Sequence, residues 1–195
     1  EGPAGVGKGI AARALHDKSG RRKLAVCDLR ELPADSIESE LFGHEKGAFK
    51  GARSARKGLL LAAHKGTLLL EHLDDVSVEV QAKLVRALED GTVRPIGAEG
   101  DVVFDVRVVA TVRANVAERV RDGTFREDLF VLVSGVHVEL EPLDLRPEDK
   151  GSLIDAFLQS YRSERPPTLT PEARAALETR RYPGDARELI AVLVA

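Results

Sequence analysis

The chain opens on "GPAGVGK", Gly2 to Lys8, which fits the spacing G-x-x-x-x-G-K. That spacing suits a loop that wraps phosphate oxygens. The glycines, Gly2, Gly5 and Gly7, let backbone N–H groups turn inward around an anion, while Pro3, Ala4 and Val6 complete the loop. Lys8 is placed to reach the terminal phosphates of a nucleotide. A helix starting at Lys8 would point its positive end at the same anion. The position after the lysine usually carries Ser or Thr to hold magnesium, and here it is Gly9, which has no ligand atom. Backbone and lysine still grip a nucleotide without that hydroxyl, but metal placement suffers. The plainer reading of the same residues is a glycine-rich turn capping a helix.

Other chemistry-bearing residues are sparse. "ESELFGHEKGAFKGA", Glu38 to Ala52, is interrupted by Gly43, Gly47 and Gly51, so its second half reads as an exposed loop. His44 and His64 have no second ligand at metal spacing and read as solvated positions. Cys27 is the one cysteine, which allows no disulfide within the chain and fits a reducing cytoplasm; it reads as a small buried apolar residue at a strand end. Net charge is −3 over 195 residues, so no general basic field for nucleic acid exists. No apolar run is long enough for a membrane helix, and no signal peptide is visible. The chain has no methionine and lacks the buried strand that normally precedes a phosphate loop. A longer parent protein is therefore expected, with any DNA-binding module outside this stretch.

The elements that must position these residues alternate. Lys8 to Lys18 reads as a helix with Ile10, Ala11, Ala14 and Leu15 on its apolar face. Lys23 to Leu29 reads as a buried strand and Pro33 to Phe42 as a helix. Gly66 to Leu73 is a continuous apolar strand of the kind buried on both faces of a parallel sheet. Val80, Leu84 and Leu88 mark a helix ending at Gly91. Asp105 to Val112 is another strand, Asn115 to Asp122 a helix, and Gly135 to Leu143 a further strand stopped by Pro142. The sum is an α/β sheet with crossover helices. Beyond Pro142 the pattern turns helical, over Glu148 to Arg162, Pro171 to Thr179 and Asp185 to Val194, with Thr170 as a helix cap. Residues 1–141 and 142–195 thus read as an α/β nucleotide-binding part and a small helical lid. The run Arg146 to Lys150 reads as a solvated helix start.

"GPAGVGK" and "ESELFGHEKGAFKGA" together resemble the AAA+ domains of bacterial sigma-54-dependent transcription activators. "KGTLLLEHL" resembles that family's second nucleotide motif, and "VQAKLVRALEDGTVRPIG" the helix and hairpin after it. "DVRVVAT" resembles the first sensor strand, "GTFREDLF" the arginine-finger helix and "YPGDARELI" the second sensor. The resemblance spans essentially the whole chain. It implies a AAA+ P-loop NTPase fold, a three-layer α/β sandwich with a parallel sheet and a small helical lid. It implies ATP as ligand, a homo-oligomeric or mixed ring, and sigma-54 as partner. Gly47, Ala48, Phe49, Lys50, Gly51 and Ala52 correspond to the loop that engages sigma-54. Arg126 corresponds to an arginine finger acting on a neighbour's nucleotide, and Arg187 to the second-sensor arginine that contacts nucleotide.

The chain departs from the family where chemistry is expected. The Asp-Glu pair that holds magnesium and activates water is Glu71 and His72. Glu71 keeps a carboxylate, the one expected magnesium ligand, but adds a methylene. His72 replaces the fixed anion. The second finger position is Leu132, and the Thr-Asn of the first sensor falls on Val112 and Arg113. Lys50 replaces the threonine of the sigma-54 loop, and only Arg146 remains of the linker motif L-R-E-R. Three readings follow. The first is a module that binds ATP but hydrolyses it poorly, the second an active ATPase with His72 in the glutamate's role, and the third a nucleotide-free interaction module.

Overall fold

A continuous apolar strand is stable only where both of its faces are covered. In the computed structural model, which describes residues 1–160 and 167–194, β1 (Leu24–Asp28), β4 (Gly66–Glu71) and β7 (Val106–Ala110) form a parallel sheet in the order β1-β4-β7. The apolar run supplies the central strand, and Leu68, Leu69 and Leu70 are fully buried. The register pairs Asp28 with Glu71 at the carboxyl ends of β1 and β4. Two short antiparallel ribbons flank the sheet in sequence: β2 (Gly43–His44) with β3 (Arg56–Lys57), and β5 (Thr92–Val93) with β6 (Val102–Val103).

The chain divides into two compact units, Gly9–His137 and Glu1–Lys8 with Val138–Ala195. The first holds the sheet, its ribbons and most of α1 (Lys8–Asp17), together with α2 (Ile37–Phe42), α3 (Leu59–Ala62), α4 (Val78–Asp90), α5 (Val116–Arg121) and α6 (Glu127–Val133). Its core joins Leu41, Leu60, Leu68, Leu70, Leu84 and Leu129. Ser77 caps α4 through the N–H of Val80, and Gly91 ends it in the left-handed conformation at φ 63°. Cys27 is buried in β1, and burial together with the nearby carboxylates of Glu40 and Asp28 pushes its thiol up to about 11. Such a thiol is inert at neutral pH.

The buried face of α1 is not the one the apolar residues mark. Ile10 and Leu15 are 49% and 42% exposed, whereas Ala12 and His16 are buried. His16 is held inward because its Nδ1 pairs with Thr67 Oγ1 at 2.9 Å. A satisfied polar contact to β4 outweighs the apolar count on the other face.

In the second unit, η2 (Leu143–Leu145), α7 (Glu148–Ser160), α8 (Pro171–Thr179) and α9 (Asp185–Val194) surround Leu143, Ile154, Tyr182 and Leu189. The end of the helix expected over Glu148 to Arg162 lies outside the described residues. Thr170 caps α8 by accepting the Ala173 N–H at 3.2 Å, with Pro171 in the first turn. The strand expected over Gly135 to Leu143 does not form. A strand exists by laddering, and the contact of this segment with Glu1 does not extend into a ladder. Leu140 N–H donates to the Glu1 carbonyl at 2.9 Å, and the Glu1 ammonium donates to Val138 O at 2.5 Å.

Candidate functional site

The phosphate loop belongs to the unit that contains the helices after Pro142, and two of its contacts there are to arginines. Arg146 Nη2 donates to Val6 O at 2.7 Å and also binds Asp149, so it is not the solvated residue its sequence context suggests. The N–H of Arg187 donates to Gly5 O at 3.2 Å. Gly5 has φ 85°, and a Cβ there would stand 2.6 Å from the backbone oxygen of Gly184 and 3.5 Å from Arg187 Cβ. Only glycine fits that approach. The Arg187 side chain is exposed, and its guanidinium has no hydrogen-bond partner among the described residues. Lys8 Nζ folds onto its own loop and donates to Gly2 O at 2.6 Å and Pro3 O at 2.8 Å.

The second group lies in the other unit, at the carboxyl ends of the parallel strands, where open α/β sheets place their ligands. Immediately after β4, His72 takes the left-handed conformation at φ 60°, ψ 44°, and the chain enters η1 (Leu73–Asp75). Two bonds hold this turn to the residue after β7. His72 N–H donates to Thr111 Oγ1 at 3.2 Å, and Leu73 N–H donates to Thr111 O at 3.0 Å. The His72 ring is held as well, with Nδ1 at 2.8 Å from Asp28 Oδ1. Burial opposes the charge on Asp28, but the Arg30 N–H and the imidazole outweigh it and hold the carboxyl below its usual range. An acceptor-only carboxylate requires that Nδ1 carry the hydrogen.

Glu71 Oε1 lies 2.5 Å from the point a Cβ on Gly9 would occupy. The longer side chain therefore fills the space left by the missing one, at the residue bonded to Lys8. Gly9 has no side-chain oxygen to offer, and among the described residues no group of three or more His, Cys, Asp or Glu is arranged to hold a metal.

The first-sensor position Arg113 points to structure rather than to phosphate. Its Nε donates to Asp74 Oδ2 at 2.6 Å, and it also pairs with Asp75. Asp74 is fully buried, and these hydrogen bonds together with the two carboxylate charges outweigh partial burial and hold the Arg113 guanidinium even more basic than usual. Thr111 supplies the polar side chain one residue earlier than the motif does. Arg126 precedes α6 and binds Asp128 at 3.0 and 2.6 Å, while its N–H donates to Oε1 of the fully buried Gln81 at 2.8 Å. Action on a neighbour's nucleotide requires the guanidinium to exchange Asp128 for phosphate. Leu132, at the second finger position, is exposed.

The loop from Gly47 to Ala52 is closed by Gly47 N–H to Ala52 O at 2.8 Å and by Ala52 N–H to Phe49 O at 3.0 Å. Ala52 is buried, Lys50 exposed, and Phe49 45% exposed with its ring edge-on to His44 at 5.0 Å. His44 is not solvated as its sequence context suggests. Its Nδ1 meets Ser39 Oγ at 2.6 Å and its Nε2 meets Ser54 O at 3.0 Å. His64 accepts the Asp105 N–H through Nδ1 at 3.1 Å. Asp28 lies in no motif, and Thr111 and Gln81 lie within motifs that assign them no role. The one signal for Asp28 is its place as an acidic residue closing a buried strand.

Residues 1–139 match the family described as the Sigma-54 interaction domain. The DNA-binding transcriptional regulator NtrC of Escherichia coli K12 is 42% identical over 193 residues, covering 96% of this chain and 41% of that protein. The transcriptional regulatory protein FlbD of Caulobacter vibrioides is 40% identical over 195 residues, covering 96% of this chain and 42% of that protein. The chain thus spans about two fifths of the length of these relatives. The crystal structure of NtrX from Brucella abortus in complex with ADP superposes with a TM-score of 0.81 at 33% identity, covering 97% of this chain and 42% of that one. Its complex with ATP gives 0.79 at 33% identity, covering 97% of this chain and 44% of that one. A state of Hsp104 at 17% identity and TM-score 0.72, covering 99% of this chain and 38% of that one, shares the fold. With its glycine loop, parallel sheet and "GAFKGA" loop in place, the chain belongs to the Sigma-54 interaction domain family of AAA+ modules.

Proposed function

We propose that the chain is the ATP-binding module of a sigma-54-dependent transcription regulator, and that it hydrolyses ATP slowly. The observation that carries this reading is the Glu71 carboxylate lying against Gly9. Beside it, the position of the water-activating glutamate holds an imidazole tied to Asp28. The grip on nucleotide is supported by the phosphate loop, by Lys8 and by Arg187 seated on Gly5. NtrX, a relative at 33% identity, was solved with both ADP and ATP.

Slow chemistry follows from what is altered together. Loss of a positioned base costs about 10²- to 10⁴-fold. A trans arginine contributes about 10³- to 10⁵-fold, and Leu132 supplies no such charge. These losses act on one unit and do not add. Magnesium, where it enters, comes with the nucleotide phosphates. The partners of this reading are sigma-54, engaged through Phe49 and its loop and weakened by Lys50, and further copies of this chain or of a relative in a ring. DNA contact belongs to a module outside this stretch. The setting is the bacterial cytoplasm, and none of the described helices is long and apolar enough to cross a membrane.

The test is equilibrium ATP binding together with steady-state turnover over a range of protein concentrations. Tight binding with slow turnover supports the reading. Fast turnover rising steeply with concentration replaces it with the active remodeller. Absence of binding in folded protein replaces it with the interaction module.

A further inference from the structure

Cations far apart in the sequence meet at the amino-terminal ends of the three parallel strands. Lys23 directly precedes β1, Lys65 directly precedes β4, and Arg107 is the second residue of β7. The register sets Leu24, Thr67 and Arg107 side by side, and neighbouring strands lie about 4.8 Å apart. The turn between α1 and β1 adds Lys18, Arg21 and Arg22. Arg21 fastens that turn to the sheet, with Nη1 donating to Gly66 O at 3.0 Å and Nη2 to Asp105 at 3.0 Å. Lys23 Nζ donates to the Ala62 carbonyl, which leaves its charge uncancelled. Lys18, Arg22, Lys65 and Arg107 are exposed, and no hydrogen bond or ion pair holds their side chains among the described residues. Elsewhere in the same unit, Arg30, Arg56, Lys83 and Arg94 each pair with a carboxylate. The acids in these three segments are Asp17 and Asp105, and Arg21 already takes the second. Lys65 also holds φ 60°, a conformation that glycine adopts freely and lysine does not. In a chain of net charge −3, the row is a local reversal of sign.

The surroundings of the row select its partner. Among the described residues, no exposed large hydrophobic side chain falls at 18–23, 64–66 or 105–107, and none of those positions holds Phe, Tyr or Trp. A protein partner needs an apolar centre to its interface. A single nucleic-acid strand needs aromatic platforms for its bases. A duplex backbone needs only spaced cations that can displace its counterions. We propose that this row binds the phosphate backbone of duplex DNA without reading sequence. Recognition of a particular sequence belongs to the module outside this stretch, and the row adds salt-sensitive affinity beside it. The contact needs neither ATP nor sigma-54, so its failure leaves the ATP-binding reading standing.

The test follows the fluorescence anisotropy of a labelled duplex of about 20 base pairs and arbitrary sequence as the full chain is added. Phosphate contacts by Lys18, Arg22, Lys65 and Arg107 predict a slope of log affinity against log salt of about −3 to −4, or a loss of about 100-fold between about 50 and about 200 mM salt. Arg22→Glu should weaken binding about 10-fold at the low-salt end and flatten the slope by about 1. Lys65→Gly should weaken it about as much while raising Tm, because the charge and the backbone strain leave together. A protein that melts higher and binds worse has not lost its fold. Arg181→Glu, at an exposed arginine of the helical unit, makes the same charge change as Arg22→Glu and should leave affinity within about 2-fold. No binding of the duplex at low salt overturns the proposal. So does an equal loss in Arg181→Glu, which would assign the binding to net charge. Tighter binding of a single strand of the same length, or of poly-L-glutamate, overturns it in favour of that other partner.

Discussion

Glu71 Oε1 and the α-carbon of Gly9 meet so closely that a Cβ on Gly9 would stand 2.5 Å from the carboxylate. Two departures from the family pattern, a missing hydroxyl and an extra methylene, therefore occupy one space. Substituting one changes what the other does.

The coupling is measurable. The atom in the way is the far end of a flexible side chain, so Gly9→Ser should displace the Glu71 carboxylate rather than unfold the protein. Its stability effect should stay within about 1 kcal/mol, since serine also suits the first turn of α1 better than glycine does. In a double-mutant cycle with Glu71→Asp, the shorter acid should relieve the contact, giving an interaction of about 0.5 kcal/mol or more in thermal unfolding. The double variant should also show a steeper magnesium dependence of ATP affinity than wild type. Additive unfolding data would mean that the two residues do not share the space.

Gly5→Ala should be costly for a different reason. Its φ is 85°, and the obstacle is the backbone oxygen of Gly184 at 2.6 Å, which has no rotamer to yield. A loss of about 1–3 kcal/mol is expected, with weaker ATP binding because Arg187 N–H bonds the same residue. Denaturant melts and a binding isotherm check both. An unchanged melt would show that the loop relaxes freely.

In the helical unit, the buried Lys150 donates to Asp144 Oδ1 at 2.9 Å and to Arg180 O at 2.8 Å. The hydrogen bond from Lys150 and that from the Tyr182 N–H lower the Asp144 pKa against a smaller opposing effect of desolvation. A carboxyl whose folded pKa is depressed contributes stability above its unfolded pKa. That contribution is lost as pH falls through the folded value. Asp144→Asn should therefore melt below wild type at pH 7, and the gap in Tm should shrink as the solution is taken below the ordinary carboxylate range. A gap independent of pH would place the effect in packing and not in charge.

Phe49 rests edge-on against His44, yet nearly half of it is exposed. Phe49→Ala should change stability by no more than about 0.5 kcal/mol while lowering capture of purified sigma-54. Lys50→Thr should raise that capture, because it removes an exposed charge from the loop tip. Equal sigma-54 binding by all three proteins would remove this loop from the contact.

Much of this molecule is readable in one dimension because the physics there is local. Glycine spacing predicts the loop at Gly2 to Lys8. The apolar run from Gly66 predicts the doubly covered central strand. Thr170 with Pro171, and Gly91 at its helix end, predict their caps correctly. The resemblance drawn from ordered motifs holds over most of the chain. What failed to show was set by partners distant in sequence. Gly135 to Leu143 has strand composition, but a strand needs a ladder, and its contact with Glu1 does not extend into one. Ile10 and Leu15 look like a core face, yet the Thr67 hydroxyl draws His16 inward and turns that face to solvent. Local spacing and composition were enough for the family, the sheet and the residues that stand where chemistry is expected. What those residues touch depends on the folded chain: Glu71 on Gly9, Arg113 on Asp74, and His72 on Asp28, forty-four positions away. Hydrogen bonds of that span depend on strand register and side-chain reach, and neither is encoded in local spacing.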